Sequence, residues 1–152
     1  MDNKIDFQLL DIYNSIIKKV ENTEQKSLLL AASKMADAIE NDRLIYVFGG
    51  GGHTTLVMQE IFWRAGGLAN LCPMIDFAIH PVTPAYMYLS HERMHGIGNA
   101  TVDYYGVEKG DIVLVFHSYG FNAPTIDCAM EAQSRGATVV GISSLDWNEN
   151  IP

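Results

Sequence analysis

Two runs of five bulky apolar residues, Leu44–Phe48 and Ile112–Phe116, constrain this chain more than any other feature. Each is too short for a core helix. Lacking polar alternation, each suits a strand buried on both faces. Both lead into a loop of small and polar residues and then into apolar residues at helical spacing. After Leu44–Phe48 come Gly49–Gly52 and His53-Thr54-Thr55, followed by Val57, Met58, Ile61, Phe62 and Ala65. Thr54 is the expected N-cap of that helix and Gly66-Gly67 its stop. The second run leads into His117–Asn122 and a helix starting near Pro124, a residue welcome in a first turn, with Asn122 or Thr125 able to cap. Ile126, Ala129, Met130 and Gln133 carry this helix to Gly136, and Thr138–Ile142 reads as a last strand ending in Ser143-Ser144.

Upstream, Ile5, Leu9, Leu10, Tyr13, Ile16, Ile17 and Val20 share one helix face. After a polar break at Glu21–Lys26, Leu28, Leu29, Ala32, Met35, Ala36 and Ile39 do the same for a second helix. The middle is harder to read. Leu68–Leu71 suits a short strand, and Pro73, Pro81 and Pro84 interrupt residues 72–100, leaving room for a short helix within Tyr86–His95. Helices followed by strand–helix units with continuous apolar strands predict a doubly wound α/β domain with a parallel sheet covered on both faces. One domain is expected over 1–152, with N-terminal helices over 1–42 and the α/β core over 43–152.

The net charge is −8 and no basic cluster exceeds Lys18-Lys19, so neither nucleic acid nor an anionic membrane is an expected partner. No apolar stretch approaches the length of a membrane span, and the first residues lack a secretory signal pattern. Cys72 and Cys128 form no CxxC pair and are expected as two buried, reduced thiols in a cytoplasmic protein.

Ligands in parallel sheets bind beyond the carboxyl ends of the strands. Those ends carry Gly49–Thr55, His117–Asn122 and Ser143-Ser144, all rich in glycine, hydroxyl or amide groups. The four-glycine run suits a backbone nest for an anion, the alternative being a tight turn that needs positive φ angles. It is neither a dinucleotide fingerprint, since Thr54 stands where a third glycine belongs, nor a P-loop, since no lysine follows. Thr54, Ser118 and Asn122 are each ordinary turn or cap residues, yet together they offer donors to phosphate or sugar oxygens. His91-Glu92-Arg93-Met94-His95 matches HExxH letter for letter. Prolines and Gly96 confine it to a short helix, so a metalloprotease is not expected; no metal or cofactor is called for, a metal-assisted isomerase being the milder alternative. Tyr86, Met87, Tyr88, Met94, Tyr104 and Tyr105 are expected in the core or a subunit interface, and Trp63 in packing.

The segment Val47–Leu68, VFGGGGHTTLVMQEIFWRAGGL, resembles the phosphosugar-binding loop and helix of sugar-isomerase (SIS) domain proteins. It is most like an uncharacterised bacterial subgroup reading VFGTGHSH and EEVFYRAGGL. The resemblance extends through Glu92–Gly96, similar to that subgroup's ERLEG, to Gly110–Phe116 and Gly136–Leu145. It implies a three-layer, flavodoxin-like α/β/α sandwich with a five-stranded parallel sheet, usually in a dimer or tetramer. It also implies a phosphosugar ligand, with Gly52, His53 and Thr54 in the first ligand loop, Asn122 in the second and Ser143-Ser144 at the third strand end; Gly50, Gly51, His117, Ser118 and Tyr119 of the same loops complete the expected ligand-binding set. The second loop departs from the family's SxSGx(S/T/N), because His117 and Tyr119 replace its serines. That leaves room for another anionic or uncharged carbohydrate. The sequence stops eight residues after Ser144, so it is either cut short or lacks the family's last strand.

The expected activity is aldose–ketose isomerisation of a sugar phosphate or analogue through an enediol. That chemistry needs a carboxylate base and a polarising donor. Glu92 is the expected base, with His95 or His53 assisting ring opening or oxygen polarisation. Glu60, four residues before Arg64, reads as a surface ion pair instead. The alternative is a non-catalytic domain that senses a carbohydrate derivative. A homodimer or homotetramer is the expected assembly.

Overall fold

The computed structural model describes residues 8–145 and divides the chain into two compact units, Met1–Lys34 and Met35–Pro152. The first contains α1 (Gln8–Thr23) and the start of α2 (Gln25–Glu40); none of the α1 residues is buried.

The second unit is built on a parallel sheet of β1 (Ile45–Gly49), β2 (Leu71–Pro73), β3 (Ile112–Phe116) and β4 (Thr138–Ile142), in the order β2-β1-β3-β4. Ile45 pairs with Ile112 and Ile112 with Thr138, so β1, β3 and β4 run in register. Side chains alternate across the sheet. Ile45, Val47, Ile112 and Leu114 face one layer with Ala38 of α2 and Met58 of α3 (Thr55–Ile61). Tyr46, Phe48, Val113 and Val115 face the other, with Val102 of α5 (Ile97–Tyr105) and Cys128 of α6 (Ala123–Ser134). This is the predicted three-layer, doubly wound arrangement. From β1 the chain first builds outward to β2, then returns to place β3 on the other side of β1. The strand order therefore reverses between β1 and β3, where such sheets open a crevice for ligands.

Several expectations need correction. α3 ends at Ile61 rather than running to Ala65. Phe62 is extended, Trp63 takes φ 54° and lies 89% exposed, and Arg64 turns back to bond Glu60, main chain and carboxylate alike. Trp63 is thus not packed in this chain, whereas the Glu60–Arg64 ion pair forms as expected. β2 covers Leu71–Pro73 rather than Leu68–Leu71, because Ile45 N–H bonds to Asn70 O and sets Leu71 opposite Ile45. The Tyr86–His95 helix is α4 (Ala85–His91), and α5 follows where none was predicted. Tyr86 and Tyr104 are exposed, while Tyr105 packs against the core and bonds to Ile75. Cys128 is buried and Cys72 half-buried; neither forms a disulfide. On β4, the edge strand beyond β3, Ile142 is exposed.

Candidate ligand site at the strand ends

The loops leaving β1 and β3 are bound to each other. Asn122 donates its amide to Gly50 O while its Oδ1 accepts from Thr125 N–H, capping α6 as predicted. A Cβ on Gly50 would lie 2.0 Å from Thr125 Oγ1, so any side chain there would force Thr125 to move. None of Gly49–Gly52 has a positive φ. Close approach, not an unusual backbone conformation, is what the glycine run provides. Thr54 stands at the N-cap of α3 as expected, but its hydroxyl makes no capping bond: it accepts from Gly51 N–H (2.9 Å) and donates to Gly51 O (3.0 Å), closing the loop on itself.

Above this junction opens a pocket of about 790 Å³. Gly51, Gly52, His53 and Thr54 line it from the first loop, and His117, Ser118, Tyr119 and Asn122 from the second. Glu92 and His95 reach it from the turn between α4 and α5. Gly50, Ser143 and Ser144 are not in its lining. Tyr88, Arg93 and Phe121 are, and sequence reasoning had not assigned them to it.

Tyr88 organises one wall. Gly52 N–H donates to its hydroxyl, which also interacts with the Glu92 carboxylate. Burial raises the Tyr88 pKa, the Gly52 bond lowers it, and the charge and hydrogen bond of Glu92 raise it further. The phenol therefore stays protonated, oriented between backbone and carboxylate. The signal for it was the spacing: four residues separate Tyr88 from Glu92, and such residues are neighbours on a helix surface.

His117 lines the same pocket from the loop after β3. Its Nδ1 accepts from Tyr119 N–H (3.1 Å) and Gly120 N–H (2.7 Å). The neutral ring must then carry its proton on Nε2. Burial lowers its pKa, and the nearby charge of Glu92 opposes this only in part. His117 is thus a neutral N–H donor beside a carboxylate. Its ring contacts those of Tyr119 and Phe121 edge-on or tilted, at centroid distances of 6.0 and 6.2 Å.

The HExxH letters do not make one helical face. α4 stops at His91, whose Nδ1 bonds to Ala78 O, while His95 Nδ1 bonds to Asp127 on α6. Among the described residues no group of three His, Cys, Asp or Glu side chains is gathered for a metal ion.

A family model described as the SIS domain matches residues 9–144, and the chain belongs to that family. It is 32% identical over 148 residues to a UPF0309 protein of Streptomyces coelicolor, covering 96% of this chain and 59% of that protein. A UPF0309 protein of Oceanobacillus iheyensis is 32% identical over 145 residues, covering 95% of this chain and 57% of the relative. The chain thus spans about six-tenths of the length of these curated relatives. The phosphoheptose isomerase of Neisseria gonorrhoeae superposes with a TM-score of 0.68 at 19% identity, over 93% of this chain and 75% of that one. A phosphoheptose isomerase from Francisella tularensis gives 0.67 at 20%, over 97% and 80%. At these identities the two structures share the fold.

Proposed function

We propose that the pocket binds a sugar phosphate, or a related anionic carbohydrate derivative, and interconverts its aldose and ketose forms through an enediol. The observation that carries this reading is the pairing of a carboxylate and a neutral N–H donor, Glu92 and His117, in one pocket where the strand order reverses. Glu92 is the base that removes the proton from C2. His117 Nε2–H polarises the carbonyl oxygen and needs no change of protonation state to do so. Tyr88 holds Glu92 in place, Arg93 at the exposed rim supplies positive charge for the anionic group, and His53 offers a ring N–H beside it. The phosphoheptose isomerases of like fold are consistent with a phosphorylated sugar.

Binding without turnover is the second reading. It is favoured by the exposure of His53, Arg93 and His95, which leaves the rim open to water in a single chain. A thermal-shift screen against aldose and ketose phosphates separates the two, since a bound ligand stabilises in proportion to its occupancy. Isomerisation predicts that Glu92→Gln keeps the shift and loses interconversion, by about 100- to 10,000-fold. A stabilising ligand that the parent protein leaves unconverted favours the sensor.

A further inference from the structure

His95 lines the pocket with a side chain 79% exposed, while its partner Asp127 is only 12% exposed and lies outside the lining. Nδ1 of the ring is 3.0 Å from Asp127 Oδ1, and the other carboxylate oxygen accepts from Gly96 N–H at 2.6 Å. Both oxygens are therefore engaged and the carboxylate plane is fixed. We propose that Asp127 is a positioning residue for His95, holding the imidazole with Nδ1 protonated and Nε2 presented to the pocket for proton transfer between substrate oxygens.

An ionised carboxylate only accepts, so the ring nitrogen facing it must donate. The neutral imidazole then keeps its lone pair on Nε2. Burial raises the Asp127 pKa. The hydrogen bonds donated by His95 and Gly96 outweigh that and hold it below the usual carboxylate range. Asp127 is thus an acceptor throughout the neutral range. Its own placement is rigid, because α5 and α6 meet at Gly98. A Cβ there would lie 2.2 Å from Pro124 O and 2.5 Å from Cys128 N.

The proton-transfer step rests on the isomerase reading; the orientation of the ring does not. As Glu92 takes the C2 proton, the C2–H electron pair forms the C1–C2 double bond and the carbonyl π pair moves to O1. Nε2 accepts the proton from O2 and delivers it to O1. The C2–O2 carbonyl then forms as C1 recovers the proton held by Glu92. C2 gives up one hydrogen and C1 gains one, the proton on Glu92 exchanging with water at the open rim in between, while one passes from O2 to O1, and both side chains end as they began.

The test has two arms. In protein carrying 15N-labelled histidine, long-range proton–nitrogen correlation at about pH 8 reads the tautomer. His95 is expected with Nδ1 protonated, and Asp127→Ala should shift it towards the Nε2–H form that an unconstrained histidine side chain favours. An Nε2–H ring in the parent protein overturns the positioning. The second arm measures conversion of fructose 6-phosphate and a heptulose 7-phosphate. Asp127→Asn, which keeps the size of the side chain and an acceptor, should lower kcat by at least about tenfold with KM within about twofold. In a His95→Ala background it should cost nothing further, because residues acting as a unit are not additive. A loss that persists there makes Asp127 a structural clamp and overturns the proposal. No turnover of either sugar by the parent protein sinks the proton-transfer step and the isomerase reading, while the tautomer still decides the positioning.

Discussion

At the scale of single residues, the site depends on polar groups that occupy one another before any ligand arrives. Tyr88→Phe would leave Gly52 N–H without its acceptor and Glu92 without its neighbouring hydroxyl. We expect a stability loss of about 1 kcal/mol and ligand affinity weakened roughly tenfold. Urea unfolding and titration measure these, and a variant unchanged in both contradicts the role given to Tyr88. His117 makes a pH prediction. Its folded pKa lies below the ordinary 6.5, because burial disfavours the imidazolium. Taking up a proton on Nδ1 would also break the bonds from Tyr119 and Gly120. Below pH 6.5 the unfolded chain therefore binds the proton first. The stability tied to His117 is present above that pH and lost as pH falls towards the folded value. His117→Gln should flatten that part of the profile of urea midpoints between pH 8 and 5; an unaltered slope contradicts it. As pocket-lining residues, His117 was legible from its loop position, and Glu92 and His95 from the resemblance of Glu92–Gly96 to the family subgroup's ERLEG. Asp127 was not, because nothing in a helix sequence says which neighbour its polar face will meet.

At the scale of elements, β1, β3, β4 and α6 were readable because their apolar runs are uninterrupted and their caps are strong: Asn122 and Pro124 begin α6 and Gly136 follows it. α5 was hidden by Gly96 and Gly98, which read as breakers. Gly96 turns at φ 95° and Gly98 lets the two helices touch, so the helix exists through its packing on α6 rather than through propensity. The end of α3 was misread because Phe62 and Ala65 keep helical spacing beyond the point where the chain turns at Trp63. Gly98→Ala tests the α5–α6 contact. Its Cβ would meet backbone atoms that cannot swing aside, and a cost of about 1–3 kcal/mol is expected on urea unfolding. Unchanged stability would mean that α5 does not need this approach. Cys128 belongs to the same contact. Burial pushes its thiol up to about 12 from the ordinary 9.0, so stability should decline as pH rises above 9 and the unfolded chain ionises first. Cys128→Ala should lessen that alkaline decline, read from the same unfolding midpoints.

At the scale of the whole molecule, the first unit carries apolar side chains on exposed helix faces. Leu9, Leu10, Tyr13, Ile16 and Ile17 of α1 are all more than half exposed, and Leu28 and Leu29 of α2 likewise. Patches of this kind mark association surfaces. We expect at least a homodimer in solution, dissociated by Ile16→Lys with Ile17→Lys. A monomeric mass by light scattering at micromolar concentration would contradict this. The central claim, however, concerns the crevice where the strand order reverses. The direct measurement is incubation of the parent protein in deuterium oxide with an aldose phosphate shown to stabilise it, followed by NMR of the C2 hydrogen. Our account predicts that deuterium replaces that hydrogen, and that Glu92→Gln binds the sugar but leaves C2 unlabelled. A sugar that binds in this pocket and keeps its C2 hydrogen in the parent protein would contradict it.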